Sequence, residues 1–150
     1  MDSLGKARLL AVLVPAALLG GAYVSQYGFG LPPCEMCWWQ RYPHFAALGI
    51  GLLAIFMQPA RVWTALAGLA IITSGAIGGF HAGVEYGWWE GITGCSTLPS
   101  NIDVMNVTAA PLIRCDVAPW DLFGISLAGF NFLISCTAGA AVVALAAYRK

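Results

Sequence analysis

The sequence predicts an all-α membrane protein, a bundle of four transmembrane helices with two long loops on one side of the membrane. Of its 150 residues, 59% are hydrophobic and 9% are charged, a composition far more apolar than that of a soluble domain. A helix needs about 20 mostly apolar residues to cross a bilayer. Four stretches approach that length: residues 9–26, 42–58, 62–83 and 122–148. Because they occupy most of the chain, residues 1–150 are expected to form one integral membrane domain.

The spans are expected to be helical because hydrocarbon offers no hydrogen-bond partners to open backbone groups. In the first span, an apolar run follows Lys6 and Arg8, a pattern that is also typical of a cleaved signal peptide. The apolar region of a signal peptide is shorter than a span, so the length of residues 9–26 favours an uncleaved helix.

A short turn at residues 59–61 joins the second span to the third. The third span has glycine at every fourth position near its end, at Gly75, Gly79 and Gly83, and such a stripe lets another helix pack closely. The fourth span holds Cys136 among apolar residues, where a free cysteine behaves as a small hydrophobic side chain. We therefore assign Cys136 a structural role.

Basic residues flank the spans unevenly. One side has five of them, whereas Arg41 and Arg114 alone lie on the other. Because basic loops stay in the cytoplasm, both termini and the turn at 59–61 are predicted to be cytoplasmic, and loops 27–41 and 84–121 face outward. The five residues are Lys6, Arg8, Arg61, Arg149 and Lys150. The formal net charge is zero, so composition gives no reason to expect nucleic-acid binding.

The outward loops contain four of the five cysteines, in a compartment where disulfides persist. By position they form a tight pair, Cys34 and Cys37, and a wide pair, Cys95 and Cys115. The Cys-x-x-Cys spacing is that of dithiol redox sites. A loop as long as 84–121 with no obvious strand or long helix is usually functional or disordered, and its two cysteines favour a function.

The tight pair lies where a thiol becomes reactive. Cys37 is expected near the start of the second helix, whose free N–H groups and dipole favour an anion. Arg41 follows four residues later, on the same face of a helical turn. Both effects lower the pKa of a thiol and populate the thiolate. Pro43 disfavours a helix that extends far upstream, although a proline is tolerated in a first turn.

Two other interpretations compete with a redox site. The cysteine pairs could be static staples, since a disulfide over a loop of this size stabilises a protein by about 3 kcal/mol, and this interpretation stays open. The four outer cysteines could instead bind a structural zinc ion. Zinc sites draw on two tight pairs or on histidines. Both the separation of Cys95 from Cys115 and the charge of Arg41 disfavour zinc, so no metal is expected.

Electrons from the cysteines need an acceptor. The sequence has no haem-attachment motif, since Trp38 follows Cys37, and no flavin fingerprint. If the outer pairs exchange disulfides with a secreted thiol oxidant poised near about −120 mV, the final acceptor must be a stronger oxidant. The candidate acceptor that remains is a lipid-soluble quinone. It would reach the protein from the bilayer near Cys37, Arg41 and His44.

With these features the chain resembles the bacterial disulfide bond formation protein B family, the membrane thiol:quinone oxidoreductases that reoxidise a periplasmic thioredoxin-like oxidant. The resemblance covers nearly the whole chain: four spans, a Pro-Cys-x-x-Cys-x-x-Gln-Arg motif at residues 33–41 and two further cysteines in the second outer loop. It continues through "CDVAPWDLFGISLAGFNF" at residues 115–132. The residues of that stretch that resemble the family are Trp120, Leu122, Gly124, Ser126 and Asn131.

The resemblance implies a role for each outer cysteine. Cys95 would form the mixed disulfide with the soluble partner, and Cys115 would exchange with Cys34. Cys37 would form the thiolate that engages the quinone, which is ubiquinone or menaquinone, and Arg41 would support both. Exchange through mixed disulfides is the chemistry that these roles share.

His44 and His81 are further candidates for contact with the quinone, because buried ionisable groups in membranes are functional by default. The resemblance also implies a multi-pass enzyme of the inner membrane whose partners are a periplasmic thiol oxidase, lipid and quinone. The short segment between Cys95 and Cys115, without an evident lipid-surface helix, departs from the family. The alternative function is a membrane scaffold held by disulfides, without turnover.

Overall fold

Four long helices dominate the computed structural model, which describes residues 2–94 and 113–148. The mostly helical prediction is confirmed. A two-stranded antiparallel hairpin precedes the last helix. The elements are α1 (Ser3–Gly28), α2 (Glu35–Phe56), α3 (Ala60–Glu85), β1 (Asp121–Leu122), β2 (Ile125–Ser126) and α4 (Leu127–Ala147). Cys95, Arg149 and Lys150 lie outside the described residues.

Three of the described helices, α1, α3 and α4, are long and apolar enough to cross a membrane. Helix α2 is not among them, and its first half carries Gln40, Arg41 and His44. These three side chains are buried in the bundle, with at most 7% of each residue exposed. The polar residues that lower the hydropathy of α2 therefore face protein. A fourth span at α2 stays a prediction.

Helix α2 extends further upstream than Pro43 led us to expect. It begins at Glu35, and Cys34 is its N-cap, since the Cys34 sulfur accepts a hydrogen bond from the Cys37 N–H at 3.2 Å. The Ser74 hydroxyl donates to the Gln40 carbonyl at 2.7 Å, one turn before the proline. This hydrogen bond joins α3 to α2 next to the Trp39 carbonyl, which Pro43 leaves without its intrahelical donor.

The start of α4 also differs from the sequence prediction. The predicted span begins at residue 122, whereas the helix begins at Leu127. Phe123 and Gly124 have positive φ angles of 53° and 77°, as in a two-residue hairpin turn. Ser126 then caps α4, because its hydroxyl oxygen accepts a hydrogen bond from the Gly129 N–H. The turn residues delay the helix although the sequence there is apolar.

The glycine stripe of α3 packs against α4 and the segment after α3, as the spacing predicts. A Cβ atom at Gly75 would lie 2.7 Å from the Cys136 sulfur, and one at Gly79 would lie 2.8 Å from the Phe132 ring. A Cβ atom at Gly83 would overlap the Trp89 ring. Cys136 therefore packs where α3 and α4 approach most closely, which agrees with a structural role.

Candidate dithiol site and its cavity

The tight cysteine pair lies at the N-terminus of α2. The sulfurs of Cys34 and Cys37 are 2.7 Å apart, and both cysteines are free. A disulfide bond is about 2.0 Å long, so a small approach of the two sulfurs joins them. Cys34 is 5% exposed and Cys37 is half-buried. The N-cap position therefore holds a dithiol that is geometrically ready to be oxidised.

The two thiols of the pair differ in acidity. Both precede residue 42, where the predicted second span begins. The hydrogen bond between the sulfurs raises the pKa of Cys34, and burial raises it further. The same hydrogen bond lowers the pKa of Cys37, and the nearby charge of Arg41 acts in the same direction. Cys37 is therefore the thiol that ionises first.

Arg41 is held against α1. Its Nη1 donates to the Gln26 Oε1 at 2.7 Å and its Nη2 to the Ala22 carbonyl at 3.3 Å. The guanidinium carbon also lies 5.0 Å from the centre of the Tyr23 ring and 4.8 Å from that of Trp38, within the range of cation–π attraction. Among the described residues no carboxylate pairs with Arg41, so its charge stays available to the site.

Cys115 packs against the tight pair. It is fully buried and disulfide-bonded, and it belongs to one core cluster with Cys34, Met36 and Val84. Cys37 packs against the same cluster. Cys95 lies outside the described residues, so its pairing with Cys115 stays a prediction. The fold nevertheless brings one cysteine of the second outer loop next to Cys34.

His81 lies beside the tight pair, on α3. Its Nε2 is 3.7 Å from the Cys34 sulfur and 3.7 Å from the Glu85 Oε1. Its Nδ1 is 2.9 Å from the Gln40 Nε2, and its ring also hydrogen-bonds to the backbone of Cys115. His81 thus contacts both cysteine pairs.

A buried chain of amides connects α2, α3 and α4, and the sequence analysis did not identify it. Gln40 Nε2 donates to the Met36 carbonyl, and Gln40 Oε1 accepts from Asn131 Nδ2 at 2.8 Å. Asn131 Nδ2 also donates to the Ser74 carbonyl. Because backbone carbonyls can only accept, these contacts define which atom of each amide is the nitrogen. The sequence feature that could have identified this chain is the presence of polar side chains inside or next to the predicted spans.

The amide chain determines the hydrogen positions on both histidines. Gln40 Nε2 is a donor, so the His81 Nδ1 accepts and its Nε2 carries the hydrogen. Asn131 Oδ1 is an acceptor, so the His44 Nε2, 3.0 Å away, carries the hydrogen of that ring. In the neutral imidazole the His44 Nδ1 is then an acceptor. It is buried and has no hydrogen-bond partner among the described residues.

A cavity of about 250 Å³ lies next to the tight pair. Its wall is mostly apolar, with aliphatic side chains from α1 and α4, and its polar groups come from all four helices. An engineered apolar cavity of about 150 Å³ holds a benzene molecule, so this one has room for a substituted six-membered ring. The polar residues of the wall include Cys37, Gln40, Arg41, His44, His81, Glu85 and Asn131.

Glu85 was assigned to the outer loop by the sequence analysis, and this assignment is wrong. It is the last residue of α3, and 2% of its side chain is exposed. Its Oε2 is buried without a hydrogen-bond partner among the described residues. A hydropathy profile cannot reveal such inward orientation at the end of a span, so the sequence carried no signal for Glu85.

The same residues offer a test of the zinc interpretation. Within the described part of the chain, Cys34, Cys37 and His81 could hold a metal ion, with ligand atoms within 4.8 Å of one another. Two thiolates on one tetrahedral zinc ion lie about 3.8 Å apart, however, and these sulfurs are 2.7 Å apart. The His81 Nε2 carries a hydrogen, and the disulfide-bonded Cys115 cannot contribute a thiolate. The geometry fits a dithiol better than a zinc site.

The fold and the site together define a helical membrane protein with a thiol–disulfide centre at one end of its bundle. The family model described as "Disulfide bond formation protein DsbB" matches residues 5–146. The chain therefore belongs to the DsbB family, as the sequence resemblance predicted. Membership supports a disulfide-forming oxidoreductase role, and the three apolar helices fit a multi-pass membrane protein.

Individual relatives agree with the family match. A disulfide bond formation protein B of Verminephrobacter eiseniae is 29% identical over 156 aligned positions, which cover 93% of this chain and 85% of the relative. One from Cupriavidus metallidurans is 38% identical over 77 residues, 49% of this chain and 46% of the relative. An uncharacterised protein of Rickettsia prowazekii is 24% identical over 135 residues, 85% of this chain and 78% of the relative. No solved structure matches the chain.

Proposed function

We propose that this protein is a protein-dithiol:quinone oxidoreductase. It reoxidises a periplasmic thioredoxin-like thiol oxidase and passes the electrons to a membrane quinone, ubiquinone or menaquinone. The observation that carries the proposal is the position of the Cys34–Cys37 pair between the buried Cys115 and a cavity lined by Cys37 and Arg41. The family membership supplies the disulfide chemistry.

The proposed enzyme crosses the inner membrane four times, with both termini in the cytoplasm. The dithiol site then faces the periplasm, where a soluble thiol oxidase reaches it. Arg61, at the start of α3, supports this orientation because basic residues favour the cytoplasmic side. The burial of the polar half of α2 supports the second span, because lipid then meets its apolar residues.

The proposed relay moves oxidation between two cysteine pairs. The reduced partner attacks the disulfide of Cys95 and Cys115 and forms a mixed disulfide with Cys95. Cys115, left as a thiolate, attacks Cys34 of the oxidised tight pair, and Cys37 leaves as a thiolate. The second thiol of the partner then displaces Cys95, and Cys95 displaces Cys34 from Cys115, so the partner leaves oxidised and the tight pair is reduced. The low pKa of Cys37 supports this direction, because a thiol of lower pKa is the better leaving group. The shared core cluster of Cys34 and Cys115 supports a direct exchange.

The residues around the cavity fit a quinone ring. Cys37 brings its sulfur to the cavity, and Arg41 adds a positive charge that stabilises the Cys37 thiolate. Aliphatic side chains from α1, Leu18 and Leu19 among them, exclude water from the wall. A bound quinone supplies the capacity to take up two electrons and two protons. The balance is two thiols and one quinone on one side, one disulfide and one hydroquinone on the other.

The test is quinone reduction by the purified protein given a reduced thioredoxin-like oxidase, beside Cys37→Ser and Cys95→Ser variants. Both variants are expected to lose turnover, and only Cys95→Ser is expected to lose the mixed disulfide with the partner. If no quinone is reduced while the outer cysteines stay oxidised, the proposal fails and the disulfide-stapled scaffold becomes the better interpretation. An Arg41→His variant should lose more quinone reduction than partner binding.

A further inference from the structure

Two residues of the cavity wall each carry a buried hydrogen-bond acceptor that has no partner among the described residues. Among the described residues, three buried side-chain nitrogen or oxygen atoms make no hydrogen bond: Arg8 Nε, His44 Nδ1 and Glu85 Oε2. His44 and Glu85 belong to the cavity wall. Their side chains are almost fully buried, since His44 is 3% exposed and the Glu85 side chain is 2% exposed. Buried polar atoms are nearly always paired, so two such atoms at one cavity need an explanation.

The surrounding network prevents the His44 ring from turning its acceptor elsewhere. Its Nε2 hydrogen is directed to Asn131 Oδ1 at 3.0 Å, with the Ser135 oxygen 3.4 Å away. The Ser135 hydroxyl itself donates to Asn131 Oδ1. A flipped ring would place the Cε1 carbon, instead of the Nε2 donor, against that acceptor oxygen and would lose the hydrogen bond. The Nδ1 lone pair is therefore held away from the network, in a residue that lines the cavity.

Glu85 reaches the same cavity from the end of α3. The Ser126 side chain hydrogen-bonds to the Glu85 carboxylate, and the Glu85 Oε1 lies 3.7 Å from the hydrogen-bearing Nε2 of His81. Its Oε2 has no hydrogen-bond partner among the described residues. A carboxylate oxygen, like the His44 Nδ1, accepts hydrogen bonds from a hydroxyl group. A quinone has carbonyl oxygens, which cannot donate. A hydroquinone has two hydroxyl groups, and each can donate one hydrogen bond.

We propose that His44 Nδ1 and Glu85 Oε2 accept hydrogen bonds from the hydroxyl groups of the hydroquinone, so that the cavity binds the reduced acceptor more tightly than the oxidised one. This inference rests on the proposed function and adds two substrate-contacting residues to it. As the Cys34–Cys37 disulfide forms, two electrons pass from the two sulfurs to the quinone. The two protons released by the partner's dithiol are taken up at the two quinone oxygens, and both new hydroxyl groups meet an acceptor.

Selective binding of the hydroquinone has a consequence for the driving force. A ligand shifts an equilibrium by the difference in its affinity for the two states. Tighter binding of the reduced form therefore makes the bound quinone a stronger oxidant than the free one. A tenfold preference corresponds to about 30 mV for a two-electron couple. This gain assists oxidation of a partner that is itself strongly oxidising.

The test measures binding without turnover, in full-length protein that carries Cys34→Ser and Cys37→Ser and so exchanges no electrons. The probes are a short-chain benzoquinone and its hydroquinone, and the measured quantity is the ratio of their dissociation constants by calorimetry. His44→Gln keeps a donor for Asn131 and removes the Nδ1 acceptor. Glu85→Gln replaces an acceptor oxygen by a donor at nearly constant size. Thr73→Val, outside the cavity, is the matched control.

Loss of one hydrogen bond is expected to lower the preference for the hydroquinone about fivefold in His44→Gln and in Glu85→Gln. Thr73→Val should keep the parent ratio. An unchanged ratio in both cavity variants, with quinone still bound, overturns the inference and leaves the proposed function intact. Failure of the parent protein to bind either probe contradicts the proposed function instead. The variants lie on different helices, so misfolding of one leaves the other informative.

Discussion

At the turn end of the bundle, formed by residues 57–61 and the end of α4, polar side chains bond to the backbone. At the dithiol end several polar side chains also bond to one another. Arg61 Nη1 donates to the carbonyls of Ala146 and Tyr148 at 2.9 and 2.7 Å. Thr64 donates to the Ala60 carbonyl. The Arg61 contacts satisfy carbonyls at the C-terminal end of α4, which otherwise lack partners.

The dithiol end has a different arrangement. Gln40, Asn131 and His81 form side-chain contacts between three helices, and two acceptor atoms of the cavity wall remain without a partner among the described residues. The turn end therefore uses polar groups to complete helices, and the dithiol end uses them to shape a site. Buried polar side chains therefore belong to the candidate site where they line the cavity, and stabilise helix ends elsewhere.

The largest expected effect distinguishes the buried Cys34 from the half-buried Cys136. Replacing Cys34 by Ala removes one member of the dithiol, and quinone reduction with a reduced partner should fall to the background rate because no disulfide can form. Cys136→Ala, a matched change in α4, should keep turnover within about twofold, since this cysteine packs against Gly75 and belongs to no pair. Turnover that survives in Cys34→Ala would contradict the relay.

The next effect tests the amide chain. Gln40→Met keeps the length of the side chain and removes its contacts with Met36, His81 and Asn131. The free energy of unfolding should fall by about 2 to 3 kcal/mol, because buried partners lose their hydrogen bonds. Unfolding in detergent, followed by circular dichroism, measures this change. A loss no larger than that in Thr73→Val, whose exposed hydroxyl bonds within its own helix, would show that the chain stabilises little.

A smaller effect concerns the acidity of the tight pair. Because the pKa of Cys37 is lowered, its thiolate forms at lower pH than that of an ordinary cysteine, and alkylation of the reduced protein at pH 7 should occur at Cys37 before Cys34. Cys34→Ala removes the main cause, so the pH midpoint for alkylation of Cys37 should rise. Arg41→Gln should shift it in the same direction and by less. Mass spectrometry of iodoacetamide-treated protein provides the rates, and preferential alkylation of Cys34 would refute the assignment.

The smallest expected effect is that of a substitution at the turn end on the free energy of unfolding. Arg61→Met removes the two hydrogen bonds to the last carbonyls of α4 and a favourable charge at a helix C-terminus. The free energy of unfolding should fall by about 0.5 to 1 kcal/mol. Quinone reduction should not change, since Arg61 is at the opposite end from the dithiol. If Arg61→Met lowers quinone reduction and leaves the free energy of unfolding unchanged, the assignment of a purely structural role to the turn end is wrong.

The helical membrane class could be predicted from the sequence alone. The approximate positions of the helices and the tight cysteine pair could be predicted in the same way. Apolar runs located the four helices approximately, and three of those described are long and apolar enough to cross a bilayer. The Cys34–Cys37 spacing predicted a dithiol at a helix start. Boundaries were less accurate. Nothing in the apolar stretch before α4 reveals that Phe123 and Gly124 form a turn, since hydropathy does not report φ angles.

The assembly of the site depends on the tertiary structure. The contacts of Gln40 with Asn131 and of Cys34 with Cys115 join residues far apart in the chain. The inward orientation of Glu85 depends on how α3 is rotated against its neighbours. Such rotations follow from close packing, as at the glycines that face α4, and packing depends on side chains of several helices at once. The sequence of one helix shows which residues share a face. It does not show how the neighbouring helices orient that face.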